Sequence, residues 1–100
     1  MRLNEAVSRR LQELLHERDM TQYQLSMQSG LPKSTIGNIV NCQYDSMKLR
    51  IIHEICQGFG MNISDFFNSS LFDEDNLEPG EPVVLKRKLP ALSIFVVLKR

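Results

Sequence analysis

The stretch TQYQLSMQSGLPKSTIGNIV, residues 21–40, encodes two short helices separated by a tight turn. Thr21 can accept a hydrogen bond from a free amide in a first helical turn, and Gly30 can adopt the left-handed conformation that ends a helix. Pro32 suits the first turn of the next helix, because its missing N–H would have no partner there. The sequence therefore predicts a helix over residues 22–29 and a second one that runs to about Val40.

The second of these helices has one apolar face and one polar face. Ile36, Ile39 and Val40 share the side that we expect to be buried. The other side carries Lys33, Ser34, Gly37, Asn38 and Asn41, with Thr35 at the border. Because these side chains are small, polar and uncharged except for one lysine, this face can enter a groove of a binding partner.

An amphipathic helix precedes the stretch. Its apolar positions recur at spacings of four and three residues and are Val7, Leu11, Leu14 and Leu15. The charged positions that fall mostly on the opposite side are Arg9, Arg10, Glu13, Glu17 and Arg18. We expect Asn4 to cap this helix and the helix to end near Asp19.

Two more helices follow a loop at residues 41–46. The apolar pattern of the fourth helix consists of Leu49, Ile52, Ile55, Cys56 and Phe59. Gly60 ends this helix, and Asn62 with Asp65 forms a capping arrangement ahead of Phe66 and Phe67. Residues 1–70 therefore predict an all-α domain of five helices.

The composition changes after Leu71. Residues 71–82 are acidic and contain Pro79, Gly80 and Pro82, which indicates a linker. Residues 83–100 are rich in β-branched side chains and contain the string VVLKR twice, which predicts a strand-forming C-terminal extension. This extension is either a β-hairpin that serves as a dimerisation arm or a tail with no specific role.

The composition excludes several classes of protein. The chain has 12 basic and 12 acidic residues, so any affinity for nucleic acid must come from local placement of charge. No apolar run has the roughly 20 residues of a membrane span, and the N-terminus lacks the apolar core of a signal peptide, so we expect a cytoplasmic protein without a membrane partner.

Catalytic and metal-binding patterns are not found in the sequence. Cys42 and Cys56 have no His or Cys at metal-ligand spacing, and we expect reduced thiols, with Cys56 in the core and Cys42 in a turn. His16 and His53 are isolated and are interpreted as structural. Without a Ser/His/Asp arrangement or a glycine-rich phosphate loop, we expect neither an enzyme nor a cofactor or metal.

Several motifs at fixed offsets resemble the lambda-repressor-like helix-turn-helix family, also called Cro or XRE-type, over about two-thirds of the chain. These motifs are Thr21-Gln22, Leu25 with Ser26, Gly30 in the turn, Ser34-Thr35-Ile36 and Gly60. The resemblance implies that the third helix lies in the major groove of DNA and that the second helix crosses the backbone.

The resemblance also implies roles for individual residues. The residues expected to read bases are Lys33, Ser34, Thr35 and Asn38, and those expected to contact the DNA backbone are Gln22, Asn41, Tyr44 and Lys48. Lys33 would bind guanine, Asn38 adenine and the Thr35 methyl group thymine. The alternatives are that Ser34 and Thr35 satisfy free helix amides, that Lys33 is only solvated, and that Tyr44 packs on its own loop.

These expectations lead to a sequence-specific transcriptional regulator, most simply a repressor that binds a palindromic operator as a homodimer paired through the C-terminal extension. One alternative is an antitoxin that autoregulates its operon, while residues after Leu71 neutralise a toxin. Another is a protein-interaction module that retains the fold without binding DNA. Gly37, which offers no side chain on the polar face, and the zero net charge favour this last alternative.

Overall fold

A computed structural model of the chain describes residues 1–79. The predicted hairpin or dimerisation arm at residues 83–100 and the end of the predicted linker lie outside the described residues. The helices are α1 (Leu3–Glu17), α2 (Gln22–Ser29), α3 (Lys33–Val40), α4 (Leu49–Phe59) and α5 (Ile63–Phe66), followed by 3₁₀ turns at Ser70–Phe72 and Glu74–Asn76. Residues 1–79 contain no strand, and the predicted all-α architecture with five helices is confirmed.

The predicted boundaries of α2 are confirmed by its capping contacts. The Gln24 amide donates to Thr21 Oγ1 over 3.0 Å, and the Thr21 amide donates to Gln24 Oε1 over 2.8 Å. This reciprocal pair satisfies two amides at the start of the helix. At the other end Gly30 adopts a φ of +81°, which lets the chain reverse into α3 within three residues.

Two predicted helix starts are wrong by one or two residues. Helix α1 begins at Leu3, and its first turn is closed by Glu5, whose carboxylate accepts a 2.8 Å bond from the Arg2 amide. Asn4 therefore lies inside the helix and is buried. Pro32 precedes α3 instead of starting it, because its φ of −60° with ψ of 145° gives the extended backbone of an N-cap residue.

The fifth helix begins where the sequence predicts, although its cap differs. Asn62 is the N-cap residue, but within residues 1–79 its side chain makes no capping hydrogen bond. The helix is only four residues long and is held in place by Phe66, which is fully buried.

One core combines side chains from all five helices. The buried apolar residues are Ala6, Val7, Leu11, Leu14, Leu15, Leu25, Ile36, Ile39, Ile52, Ile55, Cys56, Phe59 and Phe66. The prediction that Leu49 belongs to the buried face of α4 is wrong, since 78% of it is exposed. Leu49 is the first residue of α4 and lies at the edge of the packed layer.

Helices α2 and α4 approach closely at Gly58. A Cβ atom placed on Gly58 would lie 2.8 Å from the Cβ of Ser29 and 2.9 Å from Cδ1 of Leu25. These distances are shorter than van der Waals contact, so only glycine permits this packing. Because α2 also packs against α3, the approach of α4 fixes the position of the helix-turn-helix.

Arg10 in α1 and Arg18, which directly follows α1, bind the carboxyl ends of other helices. Arg10 donates to the carbonyls of Phe66 over 2.7 Å and Asp65 over 2.8 Å. Arg18 donates to the carbonyl of Phe59 over 2.8 Å, and its guanidinium carbon lies 5.4 Å from the centroid of that ring. The sequence places both charged positions opposite the apolar stripe of α1, and the structure adds that both guanidinium groups bind carbonyls at the ends of other helices.

The segment after α5 folds back onto the start of the chain. Phe72 lies 4.9 Å from Phe67 and 6.2 Å from Phe66, measured between ring centroids. The N-terminal ammonium of Met1 donates to the carbonyl of Asn76 over 2.6 Å, and the Glu78 amide donates to the carbonyl of Met1 over 2.8 Å. The first half of the predicted linker thus contacts the N-terminus, and the Ser70–Phe72 turn packs against α1, while the domain boundary itself stays a prediction.

In residues 1–79, every helix is too short or too polar for a membrane span.

Candidate nucleic-acid interface

Helix α3 presents the polar face that its sequence predicts. Lys33, Ser34 and Asn38 are exposed. Thr35 is half-buried at the border, and on the opposite side Ile36 and Ile39 are almost completely buried. Because the apolar side is fixed in the core, the four polar side chains project from a rigid helix.

Gln22 joins this polar face from α2. It is the first residue of α2 and half-buried, and its Oε1 lies 3.8 Å from the position that a Cβ on Gly37 would occupy. The Gln22 amide group therefore lies over the bare backbone of α3 at Gly37. A Cβ at position 37 would make an ordinary van der Waals contact with Gln22, so Gln22 and position 37 lie side by side on one surface.

The start of α2 can bind an anion. The backbone amides of Gln22 and Tyr23 lie in the first helical turn, where helix geometry provides no carbonyl four residues earlier. The two capping bonds satisfy the backbone amides of Thr21 and Gln24, so the amides of Gln22 and Tyr23 remain available. Together with the positive end of the helix dipole, they form a site that suits a phosphate.

The loop after α3 carries two of the predicted backbone contacts. Asn41 is exposed and ends α3, with its amide donating to the carbonyl of Gly37 over 2.9 Å. Tyr44 is half-buried and packs against the core, which leaves only part of its side chain exposed. Lys48, the third predicted contact, is exposed immediately before α4.

Two buried polar residues of α1 hold α3 and this loop. Ser8 Oγ donates to the carbonyl of Val40 over 2.7 Å, and Asn4 Nδ2 donates to the carbonyl of Tyr44 over 2.8 Å. Sequence reasoning missed both positioning residues. The available signal was their position in the sequence. Asn4 and Ser8 are four residues apart, and the same face of α1 continues through the buried Leu11 and Leu15. A polar residue within a buried stripe usually has a hydrogen-bond partner.

The exposed charges of residues 31–53 are mainly basic. Lys33, Lys48 and Arg50 are exposed, and within residues 1–79 none of them forms a salt bridge. The nearby acidic residue in sequence, Asp45, is paired with Arg2 over 3.0 Å. Local charge can therefore attract phosphates although the whole chain is neutral.

The sequence of residues 10–69 matches the profile of a family described as "Cro/C1-type HTH DNA-binding domain". The chain belongs to this family. The match spans more than half of the chain and confirms the resemblance to lambda-repressor-like proteins. No curated protein and no solved structure matches the chain significantly. Helices α2 and α3 form the helix-turn-helix of this Cro/C1-type DNA-binding domain.

Proposed function

We propose that the protein is a transcriptional repressor that acts in the cytoplasm and binds a palindromic operator as a homodimer. The observation that carries this proposal is the exposed polar face of α3, fixed by buried Ile36 and Ile39 in a Cro/C1-type domain. An operator-bound protein can block transcription by occupancy alone. The family is generally non-enzymatic, and we propose no catalytic activity, cofactor or metal.

In this proposal α3 reads bases from the major groove. Lys33 donates to guanine O6 and N7, Asn38 pairs with adenine, and the Thr35 methyl group contacts thymine. Ser34 contributes a hydroxyl that can donate or accept. Each well-formed side-chain contact with a base discriminates by about 1–3 kcal/mol, so three or four of them define a short half-site.

The backbone contacts set the position of α3 in the groove. Gln22 and the free amides at the start of α2 bind one phosphate, and Asn41, Tyr44 and Lys48 bind the backbone beyond α3. The packing of Gln22 over Gly37 supports a coupled surface, in which a shift of α2 would also move the reading face.

The dimer follows from the small size of the domain. A single module of this kind buries about 600–1,000 Å² of its surface on DNA, which gives modest affinity. Two copies on half-sites about 34 Å apart add their contacts and require a palindrome. We assign the pairing to residues 83–100, whose sequence predicts strands with free edges.

The experiment that tests base reading is selection of bound sequences from random duplex DNA. It is performed with the unaltered protein, Lys33→Ala and Asn38→Ala, with Gln28→Ala as a control because Gln28 is exposed on α2 outside the proposed face. Each α3 substitution should relax preference at one base position in each half-site and weaken binding about tenfold or more. The control should select the same sequence as the unaltered protein.

Three outcomes would contradict parts of the proposal. Identical selected sequences for all variants would refute the roles of Lys33 and Asn38. An asymmetric site bound by one copy would refute the homodimer. Failure to bind any DNA even at low salt would refute DNA binding and favour the protein-interaction module. A small toxin that copurifies with the chain would identify the antitoxin alternative.

A further inference from the structure

An apolar groove lies between the first turns of α1 and α4. Its volume is about 190 Å³, and its main lining residues are Leu3, Val7, Met47, Leu49, Ile52 and Phe67. Leu3 and Leu49 are 58% and 78% exposed. Small-molecule sites usually have volumes of roughly 300–1,000 Å³, so this groove fits one or two apolar side chains of a polypeptide. Because both leucines line the groove, they form one contiguous apolar surface with it, and such a surface is typical of an interaction site.

The described part of the chain ends beside this groove. The Glu78 amide donates to the carbonyl of Met1, and Leu3 follows Met1 by two residues, which places Leu3 within about 8 Å of Met1. The next dipeptide, Pro79-Gly80, is a turn signal that can direct the chain back toward α1. Only Glu81 and Pro82 separate this turn from the apolar residues Val83, Val84 and Leu85, and the three steps from Gly80 to Val83 span up to about 10 Å.

The charges of the two segments are complementary. Lys86, Arg87 and Lys88 follow these three apolar residues directly. The described segment before the turn carries four exposed acidic residues, Asp73, Glu74, Asp75 and Glu78. A chain that reverses at Pro79-Gly80 brings the basic cluster toward the acidic one.

We infer that residues 83–85 of this chain pack into the groove and cover Leu3 and Leu49. The segment belongs to the same molecule, and a short tether gives it an effective concentration of about millimolar or more, so a modest contact is sufficient. The basic cluster then lies near the acidic segment. Of the segment to which we assign pairing, residues 91–100 stay available for a second copy, and the groove contact does not require DNA binding.

Disulfide trapping in the full-length chain tests the contact. Leu49→Cys is combined with Val84→Cys in a Cys42→Ser background, where the remaining native thiol, Cys56, is buried. We expect a disulfide within one molecule, in the same yield across a tenfold dilution. The matched control combines His16→Cys with Val84→Cys, because His16 is exposed about 20 Å along α1 from Leu3. The control pair should form its disulfide at least tenfold more slowly.

Hydrogen exchange gives a second measurement without new cysteines. In the unaltered protein the amides of residues 83–85 should exchange at least tenfold more slowly than in Leu49→Asp, and Met27→Asp should leave them unchanged. Met27 is a suitable control because it is 67% exposed and lies on α2, outside the groove. Equal trapping of the two cysteine pairs, or unprotected amides in the unaltered protein, would overturn the inference. A disulfide between two molecules would assign the groove to a second copy instead.

Discussion

At the residue scale, Cys42 has an unusual backbone conformation. Its φ of +57° lies in the left-handed region, where a Cβ atom costs about 1–2 kcal/mol. The residue is exposed, and its amide donates to the carbonyl of Ile39 in the turn that ends α3. The turn determines this conformation, and a glycine would adopt it without steric cost.

We therefore predict that Cys42→Gly raises the free energy of unfolding by up to about 1 kcal/mol, because the relief of strain exceeds the greater entropy of the unfolded chain. Urea denaturation followed by circular dichroism measures this change. Gly30→Ala is the matched control in the opposite direction. Its free energy of unfolding should fall by about 1 kcal/mol, because an alanine is strained at the φ of +81° that Gly30 adopts. A loss of stability in Cys42→Gly would contradict the strain argument.

The second cysteine gives a prediction for the effect of pH. Burial raises the pKa of the Cys56 thiol, and the charge of Asp65 raises it further. As the pH rises, the thiol therefore loses its proton at a lower pH in the unfolded chain than in the folded chain. The stability contributed by the neutral thiol is complete below about pH 8.5 and decreases above it. In a Cys42→Ser background the urea midpoint should fall more steeply from pH 8 to pH 10 than in the same background with Cys56→Ala. Equal slopes would contradict this role of Cys56.

At the element scale, the close approach of α2 and α4 depends on Gly58. We predict that Gly58→Ala lowers the free energy of unfolding by about 1–2 kcal/mol, because overpacking costs more than the roughly 1 kcal/mol that alanine contributes as a better helix former. Thermal denaturation measures the loss. Gln57→Ala, at an exposed position of the same helix, should change the stability by less than about 0.5 kcal/mol. A stabilised Gly58→Ala variant would show that α2 can move away from α4.

The arginine contacts of α1 give a second prediction for the elements. Arg10→Met keeps most of the apolar stem and removes both hydrogen bonds to the end of α5. It should therefore lower the free energy of unfolding by about 1.5–3 kcal/mol. Arg9→Met, at the exposed neighbouring position, is the control and should be nearly neutral. Chemical denaturation of the two variants measures the difference, and equal stabilities would show that water replaces Arg10 at these carbonyls.

These elements also show what the sequence can and cannot predict. Thr21 and Gly30 were sufficient to define α2, because capping and left-handed turns are local interactions between neighbouring residues. Asn4 misled the prediction, since an asparagine can cap a helix or bind a distant carbonyl, and only the packing of α1 beside the loop after α3 determines which occurs. The role of Gly58 depends on a second helix in the same way.

At the scale of the whole molecule, the sequence predicted the polar face of α3 from its periodicity. It did not predict that Gln22 packs over Gly37, because that contact depends on the angle between α2 and α3. Because Gly37 has no side chain on the polar face, it favoured a module that does not bind DNA. The position of Gln22 weakens this argument. Gln22 lies beside position 37 and adds a polar side chain to the same surface.

The neutral charge of the chain makes the salt dependence of DNA binding informative. Each lysine that contacts a phosphate contributes about 0.9 to the slope of log K against log salt concentration. Lys48→Ala should therefore reduce the slope by about 1.8 if two copies bind one operator, and by about 0.9 if a single copy binds. Titrations of labelled operator DNA at four salt concentrations measure this slope. Arg9→Ala, outside residues 21–48, is the control and should leave it unchanged. An unchanged slope in Lys48→Ala would remove Lys48 from the backbone contacts, and a reduction of about 0.9 would contradict the homodimer.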